Sequence, residues 1–163
     1  MLDELQATAH SGYRRICVSI MTRRQRVPMA QPEDILKTKK TFALIGASQD
    51  MLKYSYELLF TLLDAGYTVY PINPRYEKIE EQQCYPTLSE LPQKPEVVII
   101  ALAPKNAEAM VESAAAHGIS TVWLPPGSWS EEAIAKAQAA GLEILWNVCP
   151  IGTLKNMRRE ETI

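Results

Sequence analysis

Thr41-Phe42-Ala43-Leu44-Ile45-Gly46-Ala47-Ser48-Gln49-Asp50-Met51-Leu52-Lys53-Tyr54-Ser55-Tyr56-Glu57-Leu58-Leu59-Phe60-Thr61-Leu62-Leu63 decides how the chain reads. It opens with an apolar run of strand length, turns at a glycine, and then repeats Tyr56, Leu59, Phe60 and Leu63 at helical spacing. That is strand, loop and helix, and the same unit recurs downstream. Gly66 stops the helix, and Tyr67-Thr68-Val69-Tyr70-Pro71-Ile72 reads as a second strand, with Pro71 required near an end or an edge. Val97-Val98-Ile99-Ile100-Ala101-Leu102 is a third. Ala107, Met110, Val111, Ala114 and Ala115 mark a helix ended by Gly118, and Thr121-Val122-Trp123-Leu124 follows as the fourth strand. Ser130 is placed to cap a further helix with Glu131 and Glu132 in its first turn, Gly141 ends it, and Leu142 to Trp146 supply a fifth strand.

Five apolar runs separated by helices call for parallel pairing, because each helix returns the chain to the same end of one sheet. The expected fold is α/β, a three-layer, doubly wound parallel sheet of Rossmann type with strand order 3-2-1-4-5. In such a sheet ligands bind at the carboxyl ends of the strands, which directs attention to the loops after Ile45, Ile72, Leu102 and Leu124.

The wider chain narrows the possibilities. Its 163 residues suit one domain, and 47% hydrophobic with 22% charged residues is a globular balance. A formal net charge of -2 carries no signal for nucleic acid. The first forty residues hold eight Lys and Arg against four acids, and the remainder nine against fifteen, so a basic leader precedes an acidic body. Residues 1–30 are expected to form a poorly ordered leader, 31–155 the domain and 156–163 a tail, with Met29 an alternative point for translation to begin. Arg23, Arg24 and Arg26 stand where a signal peptidase site would have to be, which argues against a secretory signal. No apolar run approaches the roughly 20 residues of a membrane span. Cys17, Cys84 and Cys149 are scattered without a Cys-x-x-Cys pair, so neither a disulfide framework nor a metal site is expected, and a cytoplasmic location fits.

The loops carry the candidate chemistry. In Gly46-Ala47-Ser48 the glycine permits a tight turn, the serine offers a hydroxyl, and the next helix presents its open N–H groups to an anion. Only one of the three glycines of the dinucleotide fingerprint is present, and a bare Gly-Ser turn is the plain alternative. After the second strand stands Asn73-Pro74-Arg75, where NAD-binding proteins carry a carboxylate for the ribose. A cation there suits a phosphate on the sugar, as in NADP or in the 3′-phosphate of coenzyme A; the alternative is a solvated Arg on an exposed turn. Ala103-Pro104-Lys105-Asn106 opens a helix with Lys105 opposed to the helix dipole, which points to a phosphate partner or to a tolerated cation on a wet surface. Pro125-Pro126-Gly127-Ser128 is a stiff corner at which a ligand can lie against backbone.

These loops, in this order, resemble the stand-alone coenzyme A-binding protein family and, more distantly, the nucleotide-binding domain of the succinyl-CoA synthetase alpha subunit. The resemblance runs from about Pro32 to Pro150. Its carriers are Gly46-Ala47-Ser48, Lys53 with Ser55-Tyr56, Val69 to Tyr76, Cys84-Tyr85-Pro86-Thr87-Leu88, Val122 to Gly127 and Asn147-Val148-Cys149-Pro150. It implies coenzyme A as cofactor, with Gly46, Ala47 and Ser48 on the diphosphate, Lys53 and Arg75 on phosphate charge, Asn73 and Pro74 on the adenosine side, and Ala103, Pro104 and Lys105 bordering the same groove. Pro126 and Gly127 complete the candidate set.

No catalytic set accompanies it. His117 sits at a helix end where the dipole favours a cation, His10 lies in the leader, and no serine hydrolase arrangement appears. Cys149 follows the fifth strand, where it could approach the rim and a cofactor thiol, but a buried structural cysteine is the favoured reading, and Cys84 reads as core. The expectation is a non-catalytic carrier, sensor or partner module for coenzyme A or an acyl-CoA, with a homo-oligomer or a protein partner permitted. The competing readings are an NADP-dependent oxidoreductase or epimerase and a scaffold with a vestigial groove.

Overall fold

The structure, a computed structural model, describes residues 29–162. The expectations for the leader, for Cys17 and His10, and for the signal region lie outside these residues. In chain order the elements are α1 (Pro32–Thr38), β1 (Thr41–Ile45), α2 (Tyr54–Asp64), β2 (Thr68–Ile72), β3 (Lys78–Ile79), β4 (Gln82–Gln83), a 3-10 turn (Leu88–Glu90), β5 (Val97–Ile100), α3 (Pro104–Ala116), β6 (Thr121–Leu124), α4 (Glu131–Ala139), β7 (Glu143–Trp146) and α5 (Pro150–Thr162). The run from 156 to 162 therefore continues a helix.

The main sheet has five parallel strands in the order β2-β1-β5-β6-β7, with β3 and β4 forming a separate two-stranded hairpin. The α/β Rossmann-like class is as expected, but the strand order is not. Counted as the five apolar runs, the order is 2-1-3-4-5 rather than 3-2-1-4-5, because β5 pairs with β1 on the side opposite β2. Pro71 supplies the reason. Thr68 N–H donates to the Lys40 carbonyl and Gly46 N–H to that of Ile72, so the alternating polar groups at 68 and 72 face β1 and those at 71 face outward. A strand laid outside β2 would meet a proline with no N–H to give. The chain instead leaves a single parallel bridge there, in which Tyr85 N–H donates to the Pro71 carbonyl and Asn73 N–H to that of Tyr85, each at 2.9 Å. Tyr70 and Tyr85 meet edge to face across it, 5.9 Å between ring centres.

Strands buried on both faces feed two apolar layers. Phe42, Leu44, Ile99, Trp123 and Leu145 pack with α1, α2 and α5, while Ala43, Ile45, Val98, Val122 and Ile144 pack with α3 and α4. Trp123 is fully buried, and its indole N–H donates to the Val148 carbonyl at 2.8 Å, which satisfies the one polar atom it brings inside. Ser130 caps α4 as expected, accepting from Ala133 N–H at 3.0 Å and donating to Glu108.

At the amino ends of the strands, one Glu96 carboxylate oxygen accepts from the N–H groups of Lys40 and Thr41, at 2.7 and 3.0 Å, and from the Thr41 hydroxyl at 3.1 Å. These bonds join β1 to β5 at their start and hold the Glu96 carboxyl below the usual carboxylate range. A carboxyl whose folded value is depressed contributes fully above its unfolded value and loses that contribution as the pH falls through the folded one. Glu96→Gln is therefore expected to melt below the parent protein at about pH 7, with the gap closing at about pH 3, in paired thermal melts.

Candidate functional site

A cavity of about 620 Å³ opens where β1, β2 and β5 end. This is the side of the sheet at which the order reverses, between β1 and β5, where open α/β sheets bind ligands. Its apolar lining comes from Ile45, Ile72, Leu88, Leu102 and Met110, and its polar lining from Ser48, Lys53, Ser55, Asn73, Arg75, Asn106 and Ser113. An apolar hollow with a few convergent polar groups is the usual form of a small-molecule site.

The turn after β1 is forced by close packing. Gly46 has φ +88°, and a Cβ there would fall onto the Ala101 carbonyl oxygen and within 2.8 Å of Leu102 Cδ2. Only a bare Cα permits the β1 loop to lie against the end of β5. The loop then holds itself in shape. Buried Ser48 accepts from Asp50 N–H, the Asp50 carboxylate accepts from Leu52 N–H, and Lys53 N–H donates to the Asp50 carbonyl, each at 3.0 Å. Lys53 caps α2 through its backbone, accepting from Tyr56 and Glu57 N–H, which leaves the N–H groups of Tyr54 and Ser55 at the positive end of the helix. Ser55, itself buried, lines the cavity beside them.

Asn73 ties the second loop to the first. Its side-chain amide donates to the Ala47 carbonyl at 2.8 Å, and its side-chain oxygen accepts from Arg75 N–H at 2.9 Å. Asn73 thus shapes the site, and its polar atoms are largely committed to the protein. Arg75 and Lys53 are exposed, line the cavity, and form no ion pair among the described residues.

Of the residues singled out in the sequence, Gly46, Ala47, Ser48, Lys53, Asn73, Pro74, Arg75 and Ala103 come together on this cavity. Pro104, Lys105, Pro126 and Gly127 do not line it. Pro104 and Lys105 occupy the first turn of α3, one turn edge away from Ala103, and the next residue, Asn106, reaches the cavity instead. Pro126 and Gly127 follow β6, which is separated from β1 by β5. Asn106, which closes the quoted loop stretch, and Ser113 were not among the expected site residues, and Met110 was expected on the core face of the helix. Their spacing of four and three marks a stripe of α3 beside the Ala107, Val111 and Ala114 stripe, where periodicity alone does not tell a cavity wall from solvent. Tyr76, Pro86, Thr87 and Leu88 also line the cavity and lie within stretches that carried the family resemblance.

Cys149 is half-buried, 3.3 Å from the Tyr54 hydroxyl, and is not part of the cavity lining. Burial above all, with the bond to Cys149, holds that tyrosine in its protonated form. Cys84 is buried as expected, its thiol pushed up by burial and donating to the Asn73 carbonyl at 3.6 Å. Among the described residues, no group of three or more His, Cys, Asp or Glu side chains gathers as a metal site, and no helix is long and apolar enough to cross a membrane.

A family model described as a CoA binding domain matches residues 40–154. A solved hypothetical protein from Pyrococcus horikoshii is 36% identical, with a TM-score of 0.74 over 79% of this chain and 93% of that one. The ADP-forming acetate–CoA ligase II of Archaeoglobus fulgidus is 32% identical over 57% of this chain, which spans only 14% of that protein's length. A dinucleotide-forming acetyl-coenzyme A synthetase from Ca. Korarchaeum cryptofilum superposes with a TM-score of 0.62 at 26% identity, covering 70% of this chain and 27% of that one.

The contact of Gly46 with the Ala101 carbonyl makes a direct test of the site's construction. Gly46→Ala combines a positive φ with a backbone collision and is expected to cost about 2 kcal/mol or more, read as a lower midpoint in urea unfolding. Asn73→Ala, which unties the two loops, is expected to cost about 1–3 kcal/mol by the same measurement.

Proposed function

Because the chain belongs to the CoA binding domain family, we propose that its cavity takes coenzyme A or an acyl-CoA and that the protein serves as a non-catalytic, cytoplasmic carrier, sensor or partner module. The observation that supports this reading most is the meeting of Lys53 and Arg75 on one cavity with buried Ser48 and Ser55 and the open end of α2. A diphosphate needs N–H and hydroxyl donors around it, and a sugar phosphate needs a cation with planar donors.

On this reading Gly46, Ala47 and Ser48 hold the diphosphate with Lys53 facing its charge. Arg75 meets the 3′-phosphate, and Asn73 and Pro74 keep that loop against the adenosine. The apolar lining of Ile72, Leu88 and Met110 takes the base. The pantetheine arm leaves the cavity past Ala103, Pro104 and Lys105 toward the Pro126–Gly127 corner. The ligase reactions named for the relatives belong to much longer chains, so the proposal is confined to binding.

Calorimetry with coenzyme A, acetyl-CoA, NADP and NAD tests it. Heat with the first two and none with the others is expected; binding of NADP alone would transfer the site to the competing cofactor, and silence with all four would leave a scaffold. Arg75→Ala is expected to weaken coenzyme A binding by about 1.5–3 kcal/mol, roughly 10- to 150-fold, and an unchanged affinity would remove Arg75 from the phosphate.

A further inference from the structure

A second cavity, also of about 620 Å³, adjoins the first, and Pro74, Arg75, Tyr76 and Pro86 line both. Arg75 thus stands between two lobes, and the outer one receives Lys78 and Glu77 from the start of the β3–β4 hairpin. We propose that Lys78 is a second phosphate-binding cation, which with Arg75 selects ligands carrying a phosphate on the ribose. The proposal rests on the coenzyme A reading of the site and extends it to a residue outside the family motif and outside the inner cavity.

Charge balance points to Lys78. A phosphate monoester carries about −1.5 to −2 near neutral pH, which one guanidinium does not neutralise. In the outer lobe the charged lining is Arg75, Lys78 and Glu77, beside the Tyr76 phenol and the buried Cys84 thiol, so Lys78 decides whether the lobe is positive or neutral overall. The cation is carried on a fixed base. Lys78 pairs with Gln83 across the hairpin, and its carbonyl accepts from the Gln49 side chain at 2.7 Å, a bond that fastens the hairpin to the loop carrying Ser48. Arg75 is fixed likewise by its N–H bond to Asn73. Both heads are exposed, and neither forms an ion pair among the described residues. Two cations with anchored backbones and uncommitted side chains face the same lobe, an arrangement that gathers anions.

Truncating Lys78 removes a solvent-facing side chain and leaves both backbone attachments in place, so the fold is expected to be unaffected. Calorimetry with coenzyme A and with dephospho-coenzyme A, which differ only in the 3′-phosphate, reads the effect. Lys78→Ala is expected to weaken coenzyme A roughly three- to tenfold, to leave dephospho-coenzyme A unchanged, and to make the affinity less dependent on salt. Lys78→Arg is expected to restore the discrimination. Equal losses for the two ligands, or no loss for coenzyme A, overturns the assignment. If the unaltered protein binds neither ligand, the coenzyme A reading falls and Lys78 with it. If coenzyme A binds the parent and Lys78→Ala equally, only the Lys78 assignment falls.

Discussion

The near-contact between the Cα of Gly46 and the carbonyl of Ala101 is the constraint on which the site is built. It brings the end of β1 against the end of β5, and that proximity closes one wall of the cavity. Everything that follows in the loop is local: a serine, an aspartate and a lysine backbone bonded to one another, delivering α2 with its first N–H groups open. Asn73 then carries the same order across to β2, since a single side chain holds Ala47 on one side and Arg75 on the other. The site's backbone is bonded into place, and its Lys53 and Arg75 form no ion pair among the described residues.

That division explains how an acidic body presents a cationic rim at its cavity. The acids predominate over the chain after residue 40, yet the inner cavity's lining carries Lys53 and Arg75 and no carboxylate, and in the outer lobe Glu77 stands against Arg75 and Lys78. Acidic side chains near the site are employed elsewhere: Glu80 accepts from the Tyr56 hydroxyl, Asp50 folds its own loop, and Glu57 approaches Lys155. Local arrangement sets the field at the rim, and the net charge of the chain has little bearing on it.

Much of this was legible in the sequence because it rests on short-range rules. Apolar runs and helical spacing located the five main strands and the three helices between them, and the Gly-Ala-Ser turn and the Asn-Pro-Arg corner located eight residues that share the cavity. What escaped depends on contacts between distant segments. The strand order followed from Pro71, whose restriction to an edge was visible, although which edge was open to the next strand depended on where residues 73–96 ran. The β3–β4 hairpin has only two residues per strand, too few for a period, and α5 begins at a proline with a weakly apolar face. Asn106 and Ser113 belong to a polar stripe one step round α3 from its buried face, which periodicity alone assigns to solvent.

The single bridge at Tyr85 reaches beyond this one molecule. With Pro71 unable to donate and its carbonyl already occupied, the outer margin of β2 offers no continuous ladder on which a neighbouring chain can add a strand. The far margin, along the four residues of β7, has no paired strand among the described residues. Strand addition is thereby interrupted on the flank beside the cavity mouth, which lowers the exposure of that mouth to the aggregation that open strands invite.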